Sequence, residues 1–325
     1  MRGFLALIGA LACLTSPAFA RTITACAPVS ASWGCNFASD DSIQRAVDIA
    51  RDGDVIRIRR GIYRPSTFRD RPFQDVVLRA FVLVEGKRIS ILAEDGVTFD
   101  GQGATPTIAF VLWNSDVNMT GVAIENFGFG NAEDDIYDGH GVFVVGGRAR
   151  LTDMRMTRVA KMGITGRNDA LIDASGIRMD GGHMGVWLEE TAHMTLRESV
   201  IRGGDSAGVG AYQSASLRVY NSVLDANTDD GVYAEGRGVI VVANSIITRN
   251  GPYGARAVED ARIEIAHSVL FANVAPIYPE SGLAMVMSNI FEVDPQLDER
   301  DRFPPGSSLA LVRDPIRSAA IGLTQ

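Results

Sequence analysis

Apolar and polar positions alternate in short runs along most of this chain, and each run is bounded by glycine, asparagine or aspartate. That is the signature of many short β-strands separated by tight turns. The runs also recur. Gly141-Val142-Phe143-Val144 is followed by strands opening at Gly163, Gly185, Gly208, Gly231 and Gly254, in steps of 22, 22, 23, 23 and 23 residues. Asn221-Ser222-Val223-Leu224, Asn244-Ser245-Ile246-Ile247 and His267-Ser268-Val269-Leu270 keep the same beat, as do Asn227, Asn250 and Asn273. Three markers with one period describe a solenoid, in which each unit buries its apolar side only by stacking on its neighbours. Leucine-rich repeats share the period, but their leucine frame is missing. Helical repeats require a 3.6-residue periodicity that is absent.

Stacking converts spacing into geometry, because residues one repeat apart lie roughly 4.8 Å apart on adjacent coils. In each strand the first and third residues after the glycine fill the core, as Val186 and Leu188 do, and the second and fourth point away from it. One outward column reads Phe143, Thr165, Trp187, Gly210, Tyr233, Arg256; the next reads Val145, Arg167, Glu189, Tyr212, Glu235, Val258. These columns predict a strip of aromatic and charged side chains facing solvent. The alternative is cross-strand pairing beneath an overlying loop.

Upstream, Ser39-Asp40-Asp41-Ser42 offers N-cap residues for a helix with apolar positions Ile43, Ala46, Val47 and Ala50, and Asp52-Gly53-Asp54 stops it. A β run, Val55–Ile58, and Gly61-Ile62-Tyr63 follow; Arg64–Asp75 is polar and irregular and predicts a loop or an excursion between coils. The order helix, Gly-Asp, β run, Gly-x-Tyr, together with the repeated glycine strands, resembles the right-handed parallel β-helix superfamily, the pectin-lyase-like fold. The resemblance implies an all-β, single-stranded right-handed parallel β-helix of about ten coils with a short N-terminal capping helix. It covers residues 21–325 as one domain, with a cap at about 36–63, regular coils at about 81–291 and a tail at 292–325. The superfamily's members are mostly secreted polysaccharide lyases, hydrolases and uronate epimerases, with some phage and adhesin proteins.

Residues 1–20 open Met1-Arg2, run through apolar Gly3–Leu14 and end Ala18-Phe19-Ala20, a signal peptide with a small-x-small cleavage site. Export to the periplasm or the exterior follows. No later segment offers the ~18 apolar residues that a membrane span requires. Cys13 lies in the signal, which leaves Cys26 and Cys35 as a disulfide pair in an oxidising compartment. The formal net charge of −8 and the lack of a long basic block argue against nucleic acid as a partner. An acidic polysaccharide is compatible where local basic residues outweigh the global sign.

The beat breaks once: Val122 and Met154 are equivalent but 32 residues apart, so an insertion lies within Glu125–Asp138. Asp134, Asp135 and Asp138 there are weak candidates for a hard cation such as Ca²⁺, against the plainer reading of a solvated acidic turn. No other cofactor is implied. In the turns before the glycines, Lys161, His183, Asp205 and Asp229 fall on successive coils. His183 beside Asp205 suits proton transfer, with the carboxylate fixing the imidazole tautomer. A cation such as Lys161 or Arg167 suits a uronate carboxylate, stabilising the charge that develops when the α proton leaves. Trp187, Tyr212, Tyr233, Glu189 and Arg256 complete a carbohydrate-binding strip. Asn227, Asn250 and Asn273 predict an internal hydrogen-bonded ladder.

The family's catalytic signatures transfer only in fragments. Asn227-Thr228-Asp229 and Gly139-His140-Gly141 echo polygalacturonases, but in reversed order and without an Arg-Ile-Lys segment. The Trp-x-Asp-His and Arg-x-Pro-x-x-Arg segments of pectate lyases are missing. The leading expectation is a lyase or epimerase on a uronate-containing polysaccharide. A non-catalytic carbohydrate-binding or envelope-assembly protein is the rival, and a glycoside hydrolase the third reading. The oligomeric state is not legible.

Overall fold

The computed structural model describes residues 20–28, 34–64, 66–102, 107–128, 137–278, 285–287 and 290–291. The signal segment before Ala20, the tail after 291, and Asp134 and Asp135 lie outside the described residues. The described chain winds as a right-handed parallel β-helix. A twenty-stranded sheet wraps two faces of the coil and a ten-stranded sheet forms the third. The first face carries the glycine-led strands, such as Met162–Arg167, Met184–Leu188 and Val209–Ala211. The second carries Leu171–Ser175, His193–Arg197 and Ser216–Tyr220, and the third Arg178–Asp180, Val200–Arg202 and Val223–Asp225. Two long strands, Ile108–Thr120 and Val142–Thr152, run around the corner and join the first two faces.

The register is the one the repeats predict. Val142, Ile164, Val186, Val209, Val232 and Ala255 stack in the core, and Phe143, Thr165, Trp187, Gly210, Tyr233 and Arg256 stack outside it. The glycine beat has a steric cause. A Cβ built on Gly185, Gly208 or Gly231 would lie 2.7–2.8 Å from the carbonyl oxygen of the glycine one coil on. The backbones approach there more closely than any side chain permits. The 32-residue step is also present, as Ala123 pairs with Arg155.

Two polar ladders run inside the coil. Asn250 Oδ1 accepts from the backbone and side-chain nitrogens of Asn227 at 3.0 and 2.9 Å, and Asn273 does the same for Asn250 at 2.9 and 3.1 Å. The serines of the second marker form the other ladder. The hydroxyls of Ser222, Ser245 and Ser268 each accept the N–H of the serine one coil earlier and donate to the carbonyl two residues upstream. Buried polar groups are thereby paired rather than orphaned, which is what makes them tolerable in an apolar core.

At the N-terminal end, helix α1 (Ser42–Ile49) covers the first coil with Ile43, Ala46 and Val47, all buried. Its start differs from expectation: Asp41 occupies the N-cap but its side chain makes no capping hydrogen bond, and it instead accepts from Ser39 Oγ. Lys87 Nζ donates to the carbonyls of Val47, Asp48 and Ala50 at the other end, placing a cation where the helix dipole is negative. The Gln44 amide exchanges two hydrogen bonds with the backbone of Leu83 and fixes the helix to the first face. A strand not anticipated, Thr22–Cys26, pairs with Phe37–Ala38 and Val55–Ile58. Arg21 binds Asp54 through its backbone nitrogen and guanidinium, and the Arg21 hydrogen bond, the largest influence, holds that carboxyl well below the usual carboxylate range. Cys26 and Cys35 are disulfide-bonded.

Arg64–Asp75 is the main departure. Instead of an irregular loop it contains Arg69–Phe73, a strand antiparallel to Val76–Glu85. Its polar residues hid its purpose, which is to deliver Phe73.

Candidate functional site

The N-terminal half of the first face is covered. Phe73, 4 % exposed, packs edge-on against Trp113, Tyr137 and Phe143 at 5.8–6.0 Å and forms a second apolar layer outside the coil with Leu78, Ile108 and Val111. Phe143, Thr165, Arg167 and Trp187 point away from the coil core as expected but are buried, not facing solvent; Phe143 lies in this layer and Trp187 against Tyr137, His140 and Tyr212. Gln74 reaches Glu190 at 2.9 Å, tying the hairpin tip to a strand several coils on.

Arg167 organises the covered region. Its guanidinium meets Glu189 at 2.9 Å, Glu190 at 3.1 Å and the Tyr137 hydroxyl at 3.1 Å. Phe73, Trp187 and Tyr137 surround it at 5.2–5.8 Å. With its side chain 4 % exposed, Arg167 acts as the pin between hairpin and coil. Burial pushes the Glu189 carboxyl up, the neighbouring Arg167 pulls it back, and Glu190 adds to the rise. His140 is buried in the same layer; its Nδ1 meets Thr165 Oγ1 at 2.7 Å, with its ring against Phe143 and Trp187. Glu190, Tyr137, Thr165 and His140 were not singled out as site residues. His140 belongs to the Gly139-His140-Gly141 fragment but the other three carry no motif, and only the fold brings the four together around Arg167.

Beyond Trp187 the face opens. Gly210 sits between Trp187 and Tyr233 in the outward column, and the Tyr212 ring folds back across it; a Cβ on Gly210 would lie 2.8 Å from Tyr212 Cε2. Trp187, Tyr212 and Tyr233 therefore form a row, with centroids 6.4 and 5.6 Å apart, seated on Met184 and Ala207. Tyr212 and Tyr233 are half-buried, and Tyr233 donates to Glu235 at 2.7 Å. Burial pushes both phenols up, so they are neutral donors at any physiological pH. Arg256, the next residue in the column, lies over Tyr233 and Tyr278 at 5.5 and 5.1 Å, with Asp230 at 3.9 Å. Asp230 is fully buried, accepts the Tyr253 N–H, and leaves its second oxygen without a hydrogen bond; burial first and Asp229 second push its carboxyl up to about 7.

The turn column flanks this row. His183 Nδ1 lies 2.5 Å from Asp205 Oδ1, with the two side chains 39 % and 74 % exposed. The predicted imidazole–carboxylate pair is thus assembled and open to solvent. Donation from Nδ1–H to the carboxylate leaves Nε2 as the free base. Lys161 is one coil earlier and buried at 6 %, and His183 N–H bonds to its carbonyl. Asp229, half-buried, occupies the coil after Asp205, where its backbone N–H meets the Ser206 carbonyl. Asp138 is half-buried and adds a small share to the rise that the Asp70 hydrogen bond, first, gives the Arg79 guanidinium. Among the described residues no group of three or more His, Cys, Asp or Glu is placed to hold a metal ion.

These features define a right-handed parallel β-helix with one covered and one open stretch of its first face. The family model for the right-handed β-helix region matches residues 108–275, and the chain belongs to that family. Among solved structures, pectate lyase Pel9A superposes with a TM-score of 0.56 at 16 % identity, covering 89 % of this chain and 84 % of that one. An alginate lyase from Paenibacillus sp. str. FPU-7 gives 0.54 at 13 %, covering 84 % and 99 %. Pectate lyase Bsp165PelA from Bacillus sp. N165, solved with trigalacturonate, gives 0.50 at 13 %, covering 93 % and 94 %. At these identities the likeness is one of fold. No curated protein sequence matches the chain.

Proposed function

We propose that this protein is an exported carbohydrate-active enzyme that removes the C5 proton of a uronate within an acidic polysaccharide, as a lyase or an epimerase. The observation that carries the reading is the His183–Asp205 pair, open to solvent beside the Trp187–Tyr212–Tyr233 row. Its fold neighbours named as pectate and alginate lyases supply the substrate class. Asp205 holds the Nδ1 proton, and His183 Nε2 takes the proton from C5. Charge then moves onto the uronate carboxylate, where a cation stabilises it. Lys161, one coil earlier in the same turn column, is the cation assigned that role. Collapse of the carbanion breaks the C4–O bond and leaves an unsaturated sugar; return of a proton to the opposite face gives the epimer. Tyr212 and Tyr233 seat the adjoining sugars. Arg256, three coils from the His183 coil and roughly 14 Å away at ~4.8 Å per step, receives the carboxylate of a unit further along.

The test is incubation with alginate, pectate and glucuronan, following ultraviolet absorbance for unsaturated ends and solvent exchange at C5. His183→Ala is expected to lower turnover by about 10²–10⁴-fold with polymer binding intact. Full turnover in that variant refutes the assignment. The non-catalytic reading draws on the same aromatic row and on the burial of Trp187 and Arg167; binding without turnover on every polymer would select it.

A further inference from the structure

Arginines on this chain are as a rule committed to carboxylates. Arg57, Arg64, Arg155, Arg197, Arg202 and Arg249 each sit within 3.3 Å of an acid, and others follow the pattern. The second face breaks it in one place. Arg148 and Arg150 leave Val142–Thr152, Arg218 leaves Ser216–Tyr220, and none of the three makes an ion pair among the described residues. All three are exposed; Arg150 reaches only the neutral Asn118, at 3.3 Å.

Register brings them together. Arg150, Asp173, Thr195 and Arg218 form one outward column, and Arg148, Leu171 and His193 form the column beside it. Arg150 and Arg218 are three coil steps apart, roughly 14 Å. The carboxylate between them, Asp173, is occupied by Arg197. A groove of about 290 Å³ runs among these side chains. Leu171, 41 % exposed, forms an apolar seat between Arg148 and His193.

Arg148 and Arg150 share one strand and Arg218 lies three coils on, and none of the three closes an ion pair among the described residues although the chain carries a net charge of −8. A small anion would reach only one of them. A chain bearing carboxylates at intervals would reach all three, with a sugar face on Leu171 and hydroxyls at His193 and Thr195. We infer that this groove is a second, non-catalytic binding site for an acidic polysaccharide, on the face beside the one that carries His183. The inference shares its ligand class with the proposed function and differs from it in location. Duplex nucleic acid is the poorer match, since the protein's overall negative charge opposes a polyanion of such density.

The experiment measures binding of alginate and pectate to the full chain at low and at near-physiological salt, with dextran as neutral control and duplex DNA as competitor. Arg148→Ala/Arg150→Ala/Arg218→Ala is expected to weaken polymer binding at low salt by roughly tenfold and to flatten its salt dependence. Arg218→Glu, a single exposed change, is expected to act in the same direction and guards against a folding defect in the triple variant. His183→Ala is expected to leave the salt-dependent binding as in the wild type. Unchanged affinity and salt slope in both arginine variants would overturn the inference, as would preferential retention of DNA or no salt-sensitive binding by the wild type. Arginine-dependent binding without turnover of any uronate would sink the proposed reaction and leave this site standing. Turnover lost in His183→Ala while the arginine variants bind normally would do the reverse.

Discussion

Replacing Asp230 with Asn isolates one buried proton. Asp230 has no exposed surface, one oxygen on the Tyr253 N–H at 3.1 Å, the other unpaired, and Arg256 at 3.9 Å, too far for a hydrogen bond. Burial, helped by Asp229, moves its carboxyl from an ordinary 3.8 to about 7 in the folded chain. Between those values the unfolded chain has released the proton and the folded chain keeps it, so the folded state binds more protons and stability falls as pH rises. At 1.36 kcal/mol per pKa unit, the loss between pH 4 and pH 8 is on the order of 4 kcal/mol. Asn keeps the shape and the acceptor for Tyr253 but cannot ionise. The expected result is therefore a pH-dependent difference: the wild type loses about 4 kcal/mol relative to Asp230→Asn as pH rises from 4 to 8. Denaturant titrations of both proteins at each pH unit measure it, and other groups, Glu189 included, cancel in the difference. Parallel stability curves would refute the reasoning, because they would mean that Asp230 is already ionised and solvated in the folded chain.

Asn250→Ala removes the acceptor for both Asn227 nitrogens and the donor to Leu224 and Asn273, leaving buried groups unpaired; a loss of about 2–4 kcal/mol is expected by chemical denaturation, and a loss below about 0.5 kcal/mol would mean that water replaces the ladder. Phe73→Ala should cost roughly 3–5 kcal/mol in the outer layer and uncover the indole of Trp113, read as greater quenching of tryptophan fluorescence by acrylamide. Unaltered quenching would show that the hairpin is not what covers the first face.

The coil was legible because its cause is strictly local. The glycine beat follows from a 2.7–2.8 Å approach that any Cβ would violate, and asparagine and serine recur where one coil hands hydrogen bonds to the next. The outward columns came out in the right register for the same reason. What the sequence could not convey was whether an outward column meets water. Phe143 and Arg167 are covered by a hairpin whose Arg69-Asp70-Arg71-Pro72 reads as loop, and its single apolar contribution, Phe73, has no periodic partner to announce it. The His183–Asp205 pair was visible because 22 residues is one coil. Arg167 and Glu189 were legible for the same reason, being neighbours one coil apart in an outward column, whereas Tyr137 and Glu190 reach Arg167 from positions outside the columns.

The serine ladder has a consequence for length. Each serine serves whichever serine N–H lies directly beneath it, so the bond specifies a rung and not an address. Excising the twenty-three residues from Ser245 to His267 would set Ser268 above Ser222, with Asn273 above Asn227 and Ile277 above Val232 in the same stroke. A cut that removes only part of a coil from within these strands would misalign the rungs beyond it. Such a chain can shorten or lengthen in evolution only by whole rungs, and its reach along a polymer is accordingly quantised.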